Sequence, residues 1–412
     1  MVDEARSLFS ARGIEDPYPI YAELRDKAPV HLIPELGIWV LSRFDDIQAA
    51  LRAPDAFSSV QPLEMRRPIR HQRLLDAMRE MGPLSLISSD PPDHTRLRKL
   101  VSGVFSPGSS ARMEARIRAI AVELISAIAP RDQLDMMEDL AIPLPVTVIS
   151  ELLGVDVARR ADFKRWSDDL LLGSGFDADL SEEEVDRLIA SRREMLAYFE
   201  AMIAQRRATP KKDLIGDLVR AEVEQEMLTP EEVLSMTVLL LIAGNETTTN
   251  LIGNGTLELC QHPEDERRLR ADPSLIPGFL EEVLRHCPPV RMISRRTARD
   301  VTLHGVTIPA NQPVFLLLDS ANRDPRQFAN PDRFDITRRP NNQITFGLGI
   351  HFCVGAPLAR VEGRVTFEEV FRRLPPFSLQ EGPLEWQGGL GLRGLTRLPL
   401  RLHREASTHR AA

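Results

Sequence analysis

The chain has 412 residues, of which 43% are hydrophobic and 27% charged, and its net charge is −8. This composition is typical of a folded globular protein and excludes collagen-like, disordered and disulfide-scaffold classes. The acidic balance argues against nucleic acid as a partner, because nucleic-acid-binding proteins usually carry a basic excess. The N-terminus carries Asp3 and Glu4 without the apolar segment of a signal peptide. The richest apolar run, Val233 to Ala243, has about half of the ~20 residues that a membrane helix needs. We therefore expect a cytoplasmic protein without a membrane or nucleic-acid partner.

The first quarter of the chain predicts a mixture of helices and strands. A helix is expected at Tyr18–Lys27, strands around Val30–Ile33 and Ile38–Leu41, and a further helix beginning near Asp45. Helical periodicity then dominates. The predicted helices cover roughly 94–105, 109–129, 143–154, 157–172, 181–207 and 229–260.

The last third predicts a second strand-rich region and one more helix. Residues 292–318 form short strand patterns interrupted by Gly305 and Pro309, and a final helix is expected around 357–373. No repeat or linker divides the chain. We expect a single domain over 1–412 that is mainly α with small β-sheets, the sheet-rich parts lying roughly at 28–60 and 290–320.

The residues with the strongest chemical signal surround one cysteine. The chain has three cysteines and no CxxC pair, which argues against a disulfide framework or a structural zinc site. Cys353 follows Gly347 and Gly349 and precedes Gly355 at the start of the last helix. Backbone N–H groups and the positive end of that helix should lower the thiol pKa and produce a thiolate. Such a residue is a nucleophile, an axial iron ligand or a buried structural cysteine.

The pattern around Cys353 decides among these alternatives. The segment from Phe346 to Gly355 reads FxxGxHxCxG and is followed by APLAR, and it resembles the haem-binding loop of the cytochrome P450 family. The resemblance implies one haem b per chain, with Cys353 as the iron ligand and Phe346, Gly347, His351 and Gly355 around it. It also implies a fold in which haem lies between a long central helix and this loop.

A second matching segment lies in the long helix. Ala243-Gly-Asn-Glu-Thr247 resembles the family's acid–alcohol motif on the distal side of haem. The resemblance implies that Ala243 and Gly244 adjoin haem, that Gly244 leaves room for dioxygen, and that Glu246 and Thr247 supply protons. Without the resemblance, these residues would be a polar interruption in an apolar helix.

Two further groups of residues match positions that seat haem or support its loop. His94 and Arg98 are four residues apart on one helical face and, with Arg295 and His351, resemble the partners of the haem propionates.

A second set resembles the family's buried charge network. Glu282 and Arg285 match its ExxR motif, and Arg333 matches the arginine that completes the network. The alternative for each charge is an ordinary solvated side chain.

The resemblance implies a haem monooxygenase that inserts one oxygen atom from dioxygen into a small, mainly apolar substrate by hydroxylation or epoxidation, as in secondary metabolism. No flavin or iron–sulfur domain is recognisable, so electrons should come from a separate ferredoxin-type donor and its reductase. Arg338, Arg339 and Arg364 could form part of the docking face for this acidic partner.

The substrate pocket should draw on several segments: the loop at 60–88, the helices at 165–195, the long helix before Gly244, the strand at Val290–Ser294 and a hairpin near Gly388–Thr396. Arginines could anchor a substrate carboxylate there, although solvated side chains are the alternative. The candidates are Arg66, Arg67, Arg70, Arg73 and Arg291, together with His71.

Three other functions are compatible with parts of the pattern. A non-catalytic haem sensor or carrier would use the same ligand but would not need Glu246 and Thr247. A member of the family that uses peroxide would share the loop. A hydrolase with Cys353 as nucleophile and His351 as base would need a third, orienting group, and none is apparent.

Overall fold

Helices make up most of the protein, as the 3.6-residue periodicity predicts. The computed structural model describes residues 7–62, 71–80, 86–172, 180–223, 227–389 and 391–404. The helices are α1 Ala11–Glu15, α2 Tyr18–Lys27, α3 Phe44–Arg52, α4 Gln72–Glu80, α5 Asp93–Ser102, α6 Pro107–Ile128, α7 Pro143–Leu153, α8 Arg160–Leu172, α9 Glu182–Ala208, α10 Leu214–Val223, α11 Pro230–Gln261, α12 Pro263–Ala271, α13 Ile276–His286, α14 Leu318–Ala321 and α15 Ala356–Arg373.

The two longest helices begin at complete capping boxes. The Ser181 side chain accepts from the Glu184 backbone N–H and the Glu184 carboxylate accepts from that of Ser181, and Thr229 and Glu232 repeat the arrangement before α11. Such reciprocal caps satisfy N–H groups that a helix end otherwise leaves unpaired. Helix α11 has 32 residues, so at 1.5 Å per residue it runs roughly 48 Å through the molecule.

Within the described residues, the strands lie in four small sheets. Their bounds are β1 Val30–Ile33, β2 Ile38–Leu41, β3 Phe57–Ser58, β4 Gln133–Asp135, β5 Met292–Thr297, β6 Val301–Leu303, β7 Val306–Ile308, β8 Pro313–Leu317, β9 Phe377–Leu379, β10 Trp386–Gly389, β11 Leu392–Leu395 and β12 Pro399–Leu402. The largest sheet has the order β1-β2-β8-β5-β3, in which β2 and β8 are parallel and place Trp39 opposite Val314. The remaining sheets are β4-β12-β9, β10-β11 and β6-β7.

A helical core surrounds α11, and a separate apolar cluster packs on the five-stranded sheet. Gly255 in α11 allows close packing, because a Cβ there would lie 2.9 Å from the Phe367 ring of α15 and 3.3 Å from the Phe279 ring of α13. None of the helices in the described ranges combines the length and hydrophobicity needed to cross a membrane. The mainly α architecture with small sheets is as predicted, and it brings α11 opposite the loop that precedes α15.

Candidate functional site

The loop before α15 is held in shape by its own backbone. The Cys353 N–H donates to the Phe346 carbonyl at 2.8 Å, and the Gly347 N–H donates to the Ile344 carbonyl at 2.8 Å. Gly347 and Gly349 both have φ of +69°, which side chains disfavour. A Cβ on Gly349 would also lie 2.6 Å from the Leu51 carbonyl oxygen. Glycine is therefore required there, and the loop presents Cys353 at the start of α15.

The polypeptide around Cys353 shifts the pKa of its thiol in the direction opposite to the one expected from the helix and the loop N–H groups. Burial raises the pKa of this thiol above its usual value, although the backbone N–H groups of Gly355 and Ala356 and the charge of Arg98 lower it. The polypeptide's donors are thus outweighed by loss of solvent. A further positive charge at the sulfur would favour the thiolate.

The Cys353 loop and α11 enclose a cavity of about 420 Å³. On α11 its wall includes Ala243 and Thr247, which lie one turn apart, and Ala243 is exposed in an otherwise buried stretch of helix. The volume lies in the range of small-molecule sites, ~300–1,000 Å³. The other lining residues are Gln61, Leu86, Ile87, Arg98, Leu239, Leu240, Leu251, Leu284, Pro289, Val290, Met292, Ile293, Ser294, Arg295, Phe315, Leu318, Thr345, Phe346, Gly347, His351, Cys353, Val354 and Ala359.

The two predicted proton donors leave α11 on different sides. The Thr247 hydroxyl faces the cavity and donates to the Ala243 carbonyl at 2.8 Å. The Glu246 carboxylate is 1% exposed and pairs with Lys164 of α8 at 3.3 Å. Burial raises the pKa of Glu246, and the Lys164 charge opposes that shift. The structure therefore places an alcohol at the cavity and an acid behind it.

Gly244 is not among the residues that line the cavity, and its contact with haem stays a prediction. A Cβ on Gly244 would lie 3.0 Å from Ile149 Cδ1, so the residue permits close packing of α11 on α7. The small residue that faces the cavity is Ala243 instead, because the 100° step between neighbouring helical residues turns Gly244 away.

The four predicted propionate partners come together although they belong to distant segments. Arg98, Arg295 and His351 line the cavity, and the His94 ring packs on the His351 ring with centroids 4.2 Å apart. Ser59 Oγ lies 3.0 Å from His351 Nε2, whereas His94 Nε2 is buried without a partner. Burial and the neighbouring cations lower the pKa of His351 to about 3, and the same causes lower that of His94. Anionic groups in the cavity would stabilise this cluster.

The buried charge network that supports the loop contains a different arginine from the one predicted. Glu282 and Arg285 are fully buried at 2.8 Å, and Glu282 also pairs with Arg338 at 3.1 Å. Arg333 is exposed and contributes its backbone carbonyl, which accepts from Arg285 at 3.0 Å. Arg338 is thus the second cation of the network. Because it is mostly buried there, it is also a poor candidate for a docking face.

Two of the arginines considered as carboxylate anchors are paired elsewhere. Arg73 binds Glu182 at 2.9 Å and also contacts Asp186 on α9. Arg291 is buried, donates to the Tyr21 hydroxyl at 3.0 Å and lies 3.5 Å from Asp319. Arg66, Arg67 and Arg70 lie outside the described residues. The sequence did not single out Gln61, Leu86 or Ile87, whose only signal was their place in the 60–88 loop.

Comparison with known proteins identifies the class to which this site belongs. A family model described as Cytochrome P450 matches residues 70–385, and the chain therefore belongs to the cytochrome P450 family. The 6-deoxyerythronolide B hydroxylase of Saccharopolyspora erythraea is 36% identical over 94% of this chain and 96% of the relative. The cyclomarin C epoxidase CymV of Salinispora arenicola is 40% identical over 90% and 92%.

A solved structure extends the similarity to the fold. The myxobacterial cytochrome P450 CYP267B1 in complex with myristic acid is 38% identical, with a TM-score of 0.88, and the match covers 97% of this chain and 100% of that chain. The predicted fold class and the prediction of a cytochrome P450 monooxygenase are confirmed.

Proposed function

We propose that this enzyme is a haem-thiolate monooxygenase that inserts one oxygen atom from dioxygen into a small, mainly apolar substrate by hydroxylation or epoxidation. The observation that carries the proposal is one cavity with the Cys353 loop on one side and Ala243 and Thr247 on the other. Arg98, Arg295 and His351 lie in its wall and are called the cationic cluster. The hydroxylase and the epoxidase among its relatives support both reaction types.

The residues present fit haem b. Its two carboxylates would meet the cluster of Arg98, Arg295, His94 and His351, where His94 Nε2 is buried and unpartnered and the neighbouring cations help to lower the pKa of His351. Its iron would supply the positive charge that the Cys353 sulfur needs, since burial raises the thiol pKa. We assign Cys353 as the iron ligand; the other haem-contacting residues would be His94, Arg98, Ala243, Arg295, Phe346, Gly347, His351 and Gly355.

Haem, when bound, supplies the iron at which dioxygen is activated, and the chain's own part is proton delivery and orientation. Thr247 must rotate its hydroxyl away from the Ala243 carbonyl to donate a proton into the cavity. Glu246, whose pKa is raised by burial, would resupply that proton from behind α11. Lys164 contacts both Glu246 and the more exposed Asp168, so this ion pair connects the buried acid with the surface.

The cavity wall supports an apolar substrate. Its hydrocarbon lining comes from three separate segments, represented by Leu86 and Ile87, Leu239 and Leu240, and Ile293. The related cytochrome P450 CYP267B1 was solved in complex with myristic acid, and this supports the proposal of an apolar substrate. Arg73 and Arg291 bind other side chains of the protein, so neither is available to bind a substrate carboxylate.

We propose that electrons arrive from a separate ferredoxin-type protein and its reductase, which dock near the Cys353 loop. Phe352, next to the proposed iron ligand, is 38% exposed. Arg339 is exposed, and Arg364 is half-buried while pairing with Glu114 at 2.6 Å. An exposed aromatic side chain and an exposed arginine suit a transient acidic partner.

The absorption difference spectrum of the reduced protein with carbon monoxide tests the proposed function. Wild type should show the long-wavelength Soret band of thiolate-ligated haem, and Cys353→Ala should lose it. Cys260→Ala is the matched control, because Cys260 is a free, half-buried cysteine remote from the cavity lining. Retention of the band in Cys353→Ala, or no haem uptake by wild type, would contradict the assignment.

A further inference from the structure

The apolar side of the cavity carries one polar pair that the reaction described above does not use. Gln61 Nε2 donates a hydrogen bond to Ser294 Oγ at 2.8 Å, and both residues line the cavity. Gln61 Oε1 is buried and has no hydrogen-bond partner. A buried acceptor without a partner is unfavourable, and a ligand that donates to it removes that penalty.

The other polar side chains of the wall have different partners or roles. Thr345 donates to the Leu284 carbonyl at 2.6 Å and accepts from Asn322 at 2.8 Å. Thr247 donates to the Ala243 carbonyl. Arg98, Arg295 and His351 form the cationic cluster. Among the described lining residues, Gln61 Oε1 is thus the side-chain oxygen that is buried and left without a donor.

The pair offers complementary hydrogen-bonding groups. Ser294 Oγ accepts from Gln61, so its own O–H remains to be donated, while Gln61 Oε1 accepts. A haem carboxylate could accept from Ser294 but could not satisfy Gln61 Oε1, since both are acceptors. The group that fits has an N–H or O–H beside an acceptor atom, as in a secondary amide or an alcohol.

We propose that Gln61 and Ser294 are specificity-determining residues that bind a neutral hydrogen-bond donor on an otherwise apolar substrate. This inference rests on the proposed function and deepens it, because it names the chemistry of the substrate. It replaces the carboxylate anchor expected from arginines by an uncharged amide and hydroxyl. A site built to bond a donor discriminates against an analogue that lacks one.

Matched ligands test the inference in the haem-loaded enzyme. N-methyldodecanamide carries an N–H that N,N-dimethyldodecanamide lacks, and cyclododecanol carries an O–H that methoxycyclododecane lacks. Dissociation constants are measured by calorimetry and by the Soret shift for wild type, Gln61→Leu, Ser294→Ala and Ile293→Val. Ile293→Val is the control, because Ile293 lines the same wall without polar atoms.

Wild type and Ile293→Val should bind the donor member of each pair about threefold to tenfold more tightly, as one net hydrogen bond predicts. The preference should vanish in Gln61→Leu and weaken in Ser294→Ala. Equal binding within the pairs by wild type, tighter binding of the blocked members, an unchanged preference in Gln61→Leu, or no binding of any of the four ligands would overturn the proposal. The carbon monoxide spectrum of each variant shows separately whether the haem-thiolate assignment holds.

Discussion

At the scale of single residues, the separation of Glu246 from Thr247 organises the proposed chemistry. Consecutive residues of a helix point about 100° apart, so the alcohol can reach the cavity while the acid stays buried against α8. Glu246 keeps an unpartnered Oε2 atom, and its ion pair with Lys164 is its connection toward the surface. The two residues can therefore act in sequence only if a water lies between them.

Substitution of Thr247 tests its part in proton delivery. Thr247→Ala should retain the haem spectrum but form several-fold more hydrogen peroxide per reducing equivalent, because the cavity loses the hydroxyl that α11 supplies. Thr247→Ser is the control that keeps a hydroxyl and should restore most of the coupling. Product and hydrogen peroxide are measured per reductant consumed. If wild type, Thr247→Ala and Thr247→Ser form the same amount of product per reductant, Thr247 takes no part in proton delivery.

Glu362 in α15 provides a pH-dependent prediction. It is buried, its Oε2 has no partner, and burial raises its pKa from 4.5 to about 8. Its neutral form is compatible with the core, so this favourable contribution is complete below the unfolded pKa and is lost as pH rises through the folded pKa. Between about pH 5 and pH 9 the free energy of unfolding of wild type should fall by on the order of a few kcal/mol, and that of Glu362→Gln should not show this fall.

The measurement for Glu362 is the free energy of unfolding of the haem-loaded proteins against pH. Glu200→Gln is the control because Glu200 is exposed on α9. It should follow the wild-type curve. If the free energy of unfolding of Glu362→Gln falls with pH as steeply as that of wild type, Glu362 is not buried as a neutral acid.

At the scale of elements, the segment between α14 and α15 is attached to α13 by charges. Arg285 donates to the carbonyls of Asn322, Pro331 and Arg333, and Glu282 accepts from Arg338. This network fixes the chain that leads into the Cys353 loop. Its members are buried, so the loss of one leaves an uncompensated charge.

Two neighbouring arginines give a matched test of this network. Arg338→Met should lower the free energy of unfolding by about 3–5 kcal/mol, since it removes a partner from the buried Glu282 carboxylate. Arg333→Met should change it by less than about 0.5 kcal/mol, because only the Arg333 backbone carbonyl takes part. Denaturant unfolding of the haem-loaded protein measures both effects. If Arg333→Met lowers the free energy of unfolding more than Arg338→Met does, Arg333 completes the network as the sequence motif predicted.

The helices that the sequence predicted well are those with strong local signals. Capping boxes at Ser181 and Thr229 mark the starts of α9 and α11 within one residue. By contrast, α4, α10 and α12 are short, and their type and bounds depend on packing against longer helices. The haem-binding loop could be predicted from its resemblance to the family's motif, and the backbone geometry explains why glycine occupies positions 347 and 349 of that motif.

Side-chain direction was less accessible to sequence. Gly244 and Ala243 are both small, and only the orientation of α11 shows that Ala243 faces the cavity. Arg333 and Arg338 are both near the motif, and the path of the connecting segment selects Arg338. Gln61 carries no local signal, since its partner Ser294 is distant in sequence. Such pairings arise from tertiary structure and not from periodicity.

At the scale of the whole molecule, the cavity joins segments that are otherwise remote. Its wall combines residues of α5, α11, β5 and the Cys353 loop. That residues 1–412 form a single domain remains our prediction. A ligand that contacts all four segments should couple them.

Removal of haem tests this coupling. A ligand that binds only the native state stabilises it by about 4 kcal/mol when the free ligand concentration is about 1,000 times the dissociation constant. The apoprotein should therefore unfold at a lower temperature than the haem-loaded protein. Hydrogen exchange should increase most in α5, β5 and the Cys353 loop, which meet at the cavity. The contact between α6 and α15 should stay protected, because ion pairs such as Arg118 with Glu369 at 2.6 Å hold it independently of the cavity. Uniform loss of protection would instead mean that haem supports the entire fold, and unchanged exchange would mean that the cavity walls are held without it.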